Sequence, residues 1–223
     1  MIHEEIKKYQ PGELIFIDDL YSVDPNVGKV RMQLKRLADT GKLVRFGRGV
    51  YYRPCENGVE FDIKEAIGFL IEKRFLKDGE DICGYIIDTA KRYEISNKPN
   101  DTNLIELASN KATVDYKAFK IGNVSVIVRR PRISVNRENY KVLAVLDLVK
   151  DIEVLPYEGC SFQLGRSGQG IELLKYLRDS NVDLCLLMDY IEKYPGKVIQ
   201  NLWLMGVSFE DIRKLAVALR NEA

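Results

Sequence analysis

Residues 26–54 constrain the fold more tightly than any other stretch, because they join a helical apolar period to a stop signal and two β-prone runs. Val27, Val30, Leu34 and Leu37 recur at the spacing of one buried helix face. Asp24 followed by Pro25 gives a start signal, since an aspartate accepts from free backbone N–H groups and proline suits a first turn. The helix is predicted to run to about Thr40, with Gly41 as its stop. Leu43 to Phe46 and Val50 to Arg53 then flank Gly47-Arg48-Gly49, the pattern of a hairpin with an arginine at its tip. A short helix around Ile2 to Tyr9 and an apolar element over Leu14 to Tyr21 precede this unit. The order is that of a winged helix-turn-helix.

Charge gives the unit its chemistry. Residues 26–54 carry eight cations (Lys29, Arg31, Lys35, Arg36, Lys42, Arg45, Arg48, Arg53) against the single anion Asp39, although the whole chain is only +1. Residues 138–223 carry ten cations and thirteen anions, a poor surface for gripping phosphate. Opposite the apolar face of the predicted helix fall Gly28, Lys29, Met32 and Arg36, flanked by Arg31, Gln33 and Lys35. A basic helix followed by a basic loop is the electrostatic footprint of a duplex DNA reader. The candidate contacts are Asn26, Lys29, Arg31, Gln33, Lys35 and Arg36 on the helix and Arg45 and Arg48 on the hairpin. Gln33 has the geometry to pair an adenine edge, and Arg36 a guanine edge or a phosphate. The competing reading is a solvated charged helix beside an ordinary hairpin.

Beyond a linker at Cys55 to Val59, helices are expected over about Asp62 to Leu76 and Gly84 to Tyr93. Strands are expected at Asn103 to Leu107, Tyr116 to Ile121 and Val124 to Arg130, forming a small antiparallel sheet with a turn at Ile121 to Val124. Helices return at 138–150, 169–180, 182–194, 196–205 and 209–220, the last opened by a capping box at Ser208 and Asp211. The fold class is therefore α+β: a winged helix-turn-helix over 1–54, then a mixed domain over 60–223 with a small antiparallel sheet and a C-terminal helical bundle. A second basic run, Arg129, Arg130 and Arg132 with Arg137, either extends a DNA contact or protects an edge strand by charge.

Several chemistries are disfavoured. The four cysteines (Cys55, Cys83, Cys160, Cys185) form no Cys-x-x-Cys pair and His3 is the sole histidine, so a metal site or a triad with an imidazole base is not expected. These thiols read as small apolar fillers in a reducing compartment. Gly165-Arg166-Ser167-Gly168-Gln169-Gly170 superficially suggests a phosphate cradle but lacks the Gly-Lys-Ser/Thr ending, and reads better as a connector within a 151–168 loop. Gly196 to Leu219 could mimic a second helix-turn-helix, yet its acidic surroundings favour helix packing. No run is long and apolar enough for a membrane span and the N-terminus is charged, so a cytoplasmic protein without a cofactor and without enzymatic activity is expected.

The run Val30 to Leu37, followed by Thr40 to Pro54, resembles the N-terminal winged helix of the AbiEi family, antitoxins of bacterial abortive-infection systems. The similarity continues through Gly84 to Asp88, Asn103 to Ala108, Tyr116 to Asn123 and Arg129 to Pro131, and so spans about residues 10–150. Tyr93-Glu94-Ile95 replaces the family's usual leucine-containing turn. The resemblance implies a repressor of its own promoter whose C-terminal part opposes a co-encoded nucleotidyltransferase-like toxin, in a type IV toxin–antitoxin system that needs no stable complex between the two. Two other readings stay open: a winged-helix regulator without a toxin, whose C-terminal domain dimerises or senses a ligand, and a DNA-processing enzyme with carboxylate-bound metal.

Overall fold

The computed structural model describes residues 2–55, 61–154 and 167–222. The chain divides into two compact units, Met1–Lys73 and Arg74–Ala223. In the first, helix α1 (Ile2–Ile6) leads into strand β1 (Leu14–Phe16) and a 3-10 turn (Ile17–Ser22), then helix α2 (Val27–Asp39) and the hairpin β2 (Val44–Gly47) and β3 (Val50–Tyr52). β3 lies between β1 and β2, antiparallel to both, with Leu14 opposite Tyr52 and Phe16 opposite Val50. The Leu14 to Tyr21 element thus splits into a strand and a turn. All three β1 residues are buried, so no alternation marks it in the sequence.

Ile2, Ile6, Ile15, Ile17, Leu20, Val30, Leu34 and Leu43 form the core of this unit. Helix α3 (Ile63–Ile71), capped by Asp62, belongs with it. Phe69 meets Phe16 with ring centroids 6.0 Å apart, and Lys73 lies 4.3 Å over the same Phe16 ring and 2.5 Å from Asp19. Phe61 stacks on Tyr52 at 4.0 Å. These contacts carry the unit beyond the expected boundary at 54, since the hairpin alone leaves its aromatic face bare. A π-helical turn (Glu72–Leu76) follows α3, and the division between the units falls within it.

The second unit holds a small hairpin, β4 (Lys77–Asp78) and β5 (Asp81–Ile82), and a four-stranded sheet of β6 (Gly84–Ile87), β7 (Leu104–Ser109), β8 (Tyr116–Ile121) and β9 (Val124–Arg129) in the order β6-β7-β9-β8. Two expectations are corrected here. Residues 84–87 form a strand, not the first turn of a helix, and α4 (Thr89–Ile95) begins only after Asp88, whose side chain accepts from the Lys91 N–H. Gly84 shows why: a Cβ there would come within 2.3 Å of the Phe75 carbonyl oxygen and 2.8 Å of that of Ala108, so glycine is needed for this close strand approach. The sheet is also mixed, because β9 runs parallel to β7 while the other pairs are antiparallel. Strand order is not encoded in a local pattern.

Helix α5 (Tyr140–Asp151) is buried on nearly every side, with Val142, Leu143, Val145, Leu146, Leu148 and Val149 all inside. It packs on β6 and on the helical layer of α6 (Gly168–Asp179), α7 (Leu184–Ile191), α8 (Gly196–Leu204) and α9 (Phe209–Glu222) through α7 and α8. So extensive a buried surface suits a helix held between two layers. The Asn201 amide donates to the carbonyls of Val149 at 2.8 Å and Ile152 at 3.0 Å, satisfying the buried C-terminal end of α5. Ser208 and Asp211 form the expected reciprocal cap, Asp211 Oδ2 accepting from the Ser208 N–H and Ser208 Oγ from that of Asp211. Among the described residues no helix is long and apolar enough to cross a membrane.

Candidate nucleic-acid interface

The start of α2 differs from the expected cap. Asn26, not Asp24, is the N-cap, its Oδ1 accepting from the Lys29 N–H at 3.0 Å. Asp24 sits one step earlier, where it accepts from the Asn26 N–H at 3.1 Å and pairs with the Lys29 ammonium at 2.7 Å. The ammonium, with the Asn26 N–H, holds the Asp24 carboxyl below its ordinary range. At the other end Gly41 adopts φ +70°, and the N–H groups of Lys42 and Leu43 both reach the Leu37 carbonyl. Val30 and Leu34 are fully buried, but Val27 is 38% exposed and does not belong to the packed face.

The exposed side of α2 carries Gly28, Lys29, Arg31, Met32, Lys35 and Arg36. Among the described residues no carboxylate or hydrogen-bonding group engages the side chains of Arg31, Lys35 or Arg36. Gln33 is half-buried at the edge of the packed face. Asn26 and Gln33 are therefore less available than the sequence suggests: one spends its oxygen on the helix start and the other is partly covered.

The hairpin completes the cationic surface. Pairing of Gly47 with Val50 leaves Arg48-Gly49 as a two-residue turn, in which Gly49 takes φ +71°. Arg48 is exposed at this tip, and Arg45 is exposed on β2 with its Nε donating to the Gly47 carbonyl at 3.4 Å. Arg53, from the same basic segment, is engaged internally. Its guanidinium donates to the carbonyls of Tyr9 at 2.8 Å and Lys7 at 3.3 Å, tying the chain after α1 to the end of β3.

In the second basic run Arg129 is engaged by carboxylates, whereas Arg130, Arg132 and Arg137 are exposed. Arg129 bridges Glu106 at 2.6 Å and Asp151 at 2.5 Å, and Arg92 meets the other Glu106 oxygen at 2.6 Å. Glu106 is only 3% exposed and Arg92 7%. Burial opposes charge on both guanidiniums, but their carboxylate partners outweigh it and raise both above the ordinary arginine value. Arg130 pairs with Asp115 at 3.5 Å and donates to the Thr113 carbonyl, Arg137 donates to the Glu80 carbonyl at 3.2 Å, and Arg132 is exposed. Nothing in the sequence near Arg129 signals this network, since Arg92, Glu106 and Asp151 come from α4, β7 and α5.

The remaining motifs of the sequence are described only in part. Gly165 and Arg166 lie outside the described residues, as do 56–59 of the expected linker, Gly159 and Cys160. Ser167 caps α6 by accepting from the Gly170 N–H at 3.1 Å. A Cβ on Gly170 would fall 2.2 Å from the Met205 carbonyl oxygen, so that glycine serves helix contact. Cys83 is a buried free thiol whose pKa is raised by burial, and Cys55 and Cys185 are half-buried. Among the described residues no group of histidine, cysteine and carboxylate side chains could hold a metal ion.

No curated protein matches this chain. Residues 1–76, the first compact unit with the turn that ends it, match the profile of a family described as a family of unknown function, DUF6088.

Proposed function

We propose that this chain is a DNA-binding transcriptional autorepressor and the antitoxin of a type IV toxin–antitoxin system, acting in the cytoplasm against a nucleotidyltransferase-like toxin. The observation that carries the DNA part is the placement of Arg31, Lys35 and Arg36 on the open side of α2, with Arg45 and Arg48 exposed on the hairpin of the same unit. A helix of this kind suits the major groove, and a basic hairpin tip suits the flanking phosphates. The antitoxin part rests on the resemblance to AbiEi proteins and assigns the neutralising activity to the second unit.

A mobility-shift titration on the DNA upstream of its own gene tests the first part. With about five phosphates neutralised, log affinity should fall against log salt with a slope near −4.5. No retardation at low salt would refute the reading. Co-expression with the adjacent gene tests the second part: rescue of growth is expected, and its failure favours a regulator without a toxin. That alternative has its own support in α8, where Ile199, Trp203 and Leu204 are exposed, Trp203 by 67%, as on a surface suited to self-association.

A further inference from the structure

Of the side chains expected to read bases on α2, Asn26 and Lys29 are engaged and Gln33 is partly covered, which leaves Arg36 open. The Asn26 oxygen caps the helix, the Lys29 ammonium is held by Asp24, and Gln33 is half-buried. At about 100° per residue, Gly28 and Met32 lie between two cationic flanks, Arg31 with Lys35 on one side and Arg36 with Lys29 on the other. Met32 is 49% exposed, an apolar side chain in the middle of the charged face.

Gly28 adds an independent observation. It sits inside a regular helix without a positive φ, and a Cβ there would meet nothing closer than the Asn26 Oδ1 at 3.6 Å, an ordinary contact. The unit's own packing does not call for glycine, and glycine weakens a helix. Its absent side chain is useful if an external surface comes close to the backbone.

We propose that α2 reads its duplex through this apolar strip, with Met32 seated against the 5-methyl group of thymine in the major groove, Gly28 permitting the close approach, and the flanking cations on phosphates. This inference rests on the DNA reading of the same helix. Thymine is the one base of unmodified DNA that presents a methyl group at its major-groove edge, and the flanking positive charge matches the two phosphate walls of the groove.

The test selects a preferred duplex from a random-sequence pool with the full chain, then replaces each thymidine in turn by deoxyuridine, which removes only the methyl group. A drop of about fourfold in affinity is expected at one or two positions, the value of burying one methyl group. Met32→Ala should bind the unsubstituted duplex more weakly, ignore those same replacements, and keep the salt slope of the parent, which shows that it is folded and still holds its phosphates. Gly28→Ala should raise the thermal midpoint of the first unit by roughly 2–6 °C while weakening binding, a pair of opposite signs that misfolding cannot produce. Affinity indifferent to every uracil, or a Met32→Ala variant that keeps the parent's sensitivity, overturns the strip while leaving the DNA reading intact. A pool from which no duplex is retained overturns both.

Discussion

Arginine plays opposite parts on α2 and in the cluster around Glu106. On α2, Arg31 and Arg36 stand in water with no acidic partner among the described residues, whereas Arg92 and Arg129 of the second unit are locked onto Glu106 and Asp151. The same side chain is a solvent-facing charge in one place and a tie between elements in the other. What separates them is the carboxylates that the fold delivers, one from a strand and one from a helix end remote in sequence. A count of positive charges cannot make that distinction.

The largest expected effect attacks the buried side of this contrast. Glu106→Ala would take from buried Arg92 its near carboxylate, leaving Asp151 at 3.9 Å, and from Arg129 one of its two, and should cost the second unit about 3–5 kcal/mol, read as a drop in its denaturant midpoint. A shift under about 1 kcal/mol would mean that the arginines escape to solvent and that the two regions differ less than their geometry indicates. Next comes Leu34→Ala, which opens the core of the first unit behind the cationic face; destabilisation by about 2–5 kcal/mol is expected from the same measurement.

Alkaline pH probes the packing of the second unit in another way. Burial, followed by the charge of Asp147, pushes Tyr85 and Tyr194 well above the ordinary phenol range, and burial, then Asp88, pushes Tyr176 up to about 12. Each phenol holds its proton more tightly in the folded chain than in the unfolded one. Their contribution is therefore complete below about pH 10 and is lost as pH rises from there through the folded values. Denaturant midpoints of the second unit should fall between about pH 10 and about pH 12, and Tyr176→Phe should make the fall shallower. A midpoint flat across that window would contradict the burial of these phenols. The smallest effect is at the helix start: Asp24→Asn should release the Lys29 ammonium and strengthen DNA binding slightly, with little change in stability, by mobility shift and thermal melting.

The sequence was most legible where chain-local rules decide the outcome. The apolar period of α2, its stop at Gly41, the Arg48-Gly49 turn and the Ser208–Asp211 cap each depend on neighbours within a few residues. The C-terminal helices were legible for the same reason. Elements whose form depends on distant partners were not: β1 is three buried residues without alternation, and β6 becomes a strand because Gly84 can lie against the carbonyls of Phe75 and Ala108. The parallel pairing of β7 and β9 is of that kind. So is the attachment of α3 to the first unit, which rests on Phe61 and Phe69 finding Tyr52 and Phe16. On the candidate site itself, sequence placed the cations on the outer face of α2 but could not foresee that Asn26 caps, that Lys29 pairs with Asp24, or that Arg129 is internal.

The most direct measurement compares salt dependence in two triple variants of the full chain on the DNA upstream of its own gene. Arg31, Lys35 and Arg36 changed together to alanine should flatten the slope of log affinity against log salt by roughly 2.7, about 0.9 for each phosphate no longer neutralised. The same treatment of Arg130, Arg132 and Arg137 should leave the slope as it was. The reverse pattern, or two slopes equal to the parent's, would contradict the assignment of DNA to the open face of α2.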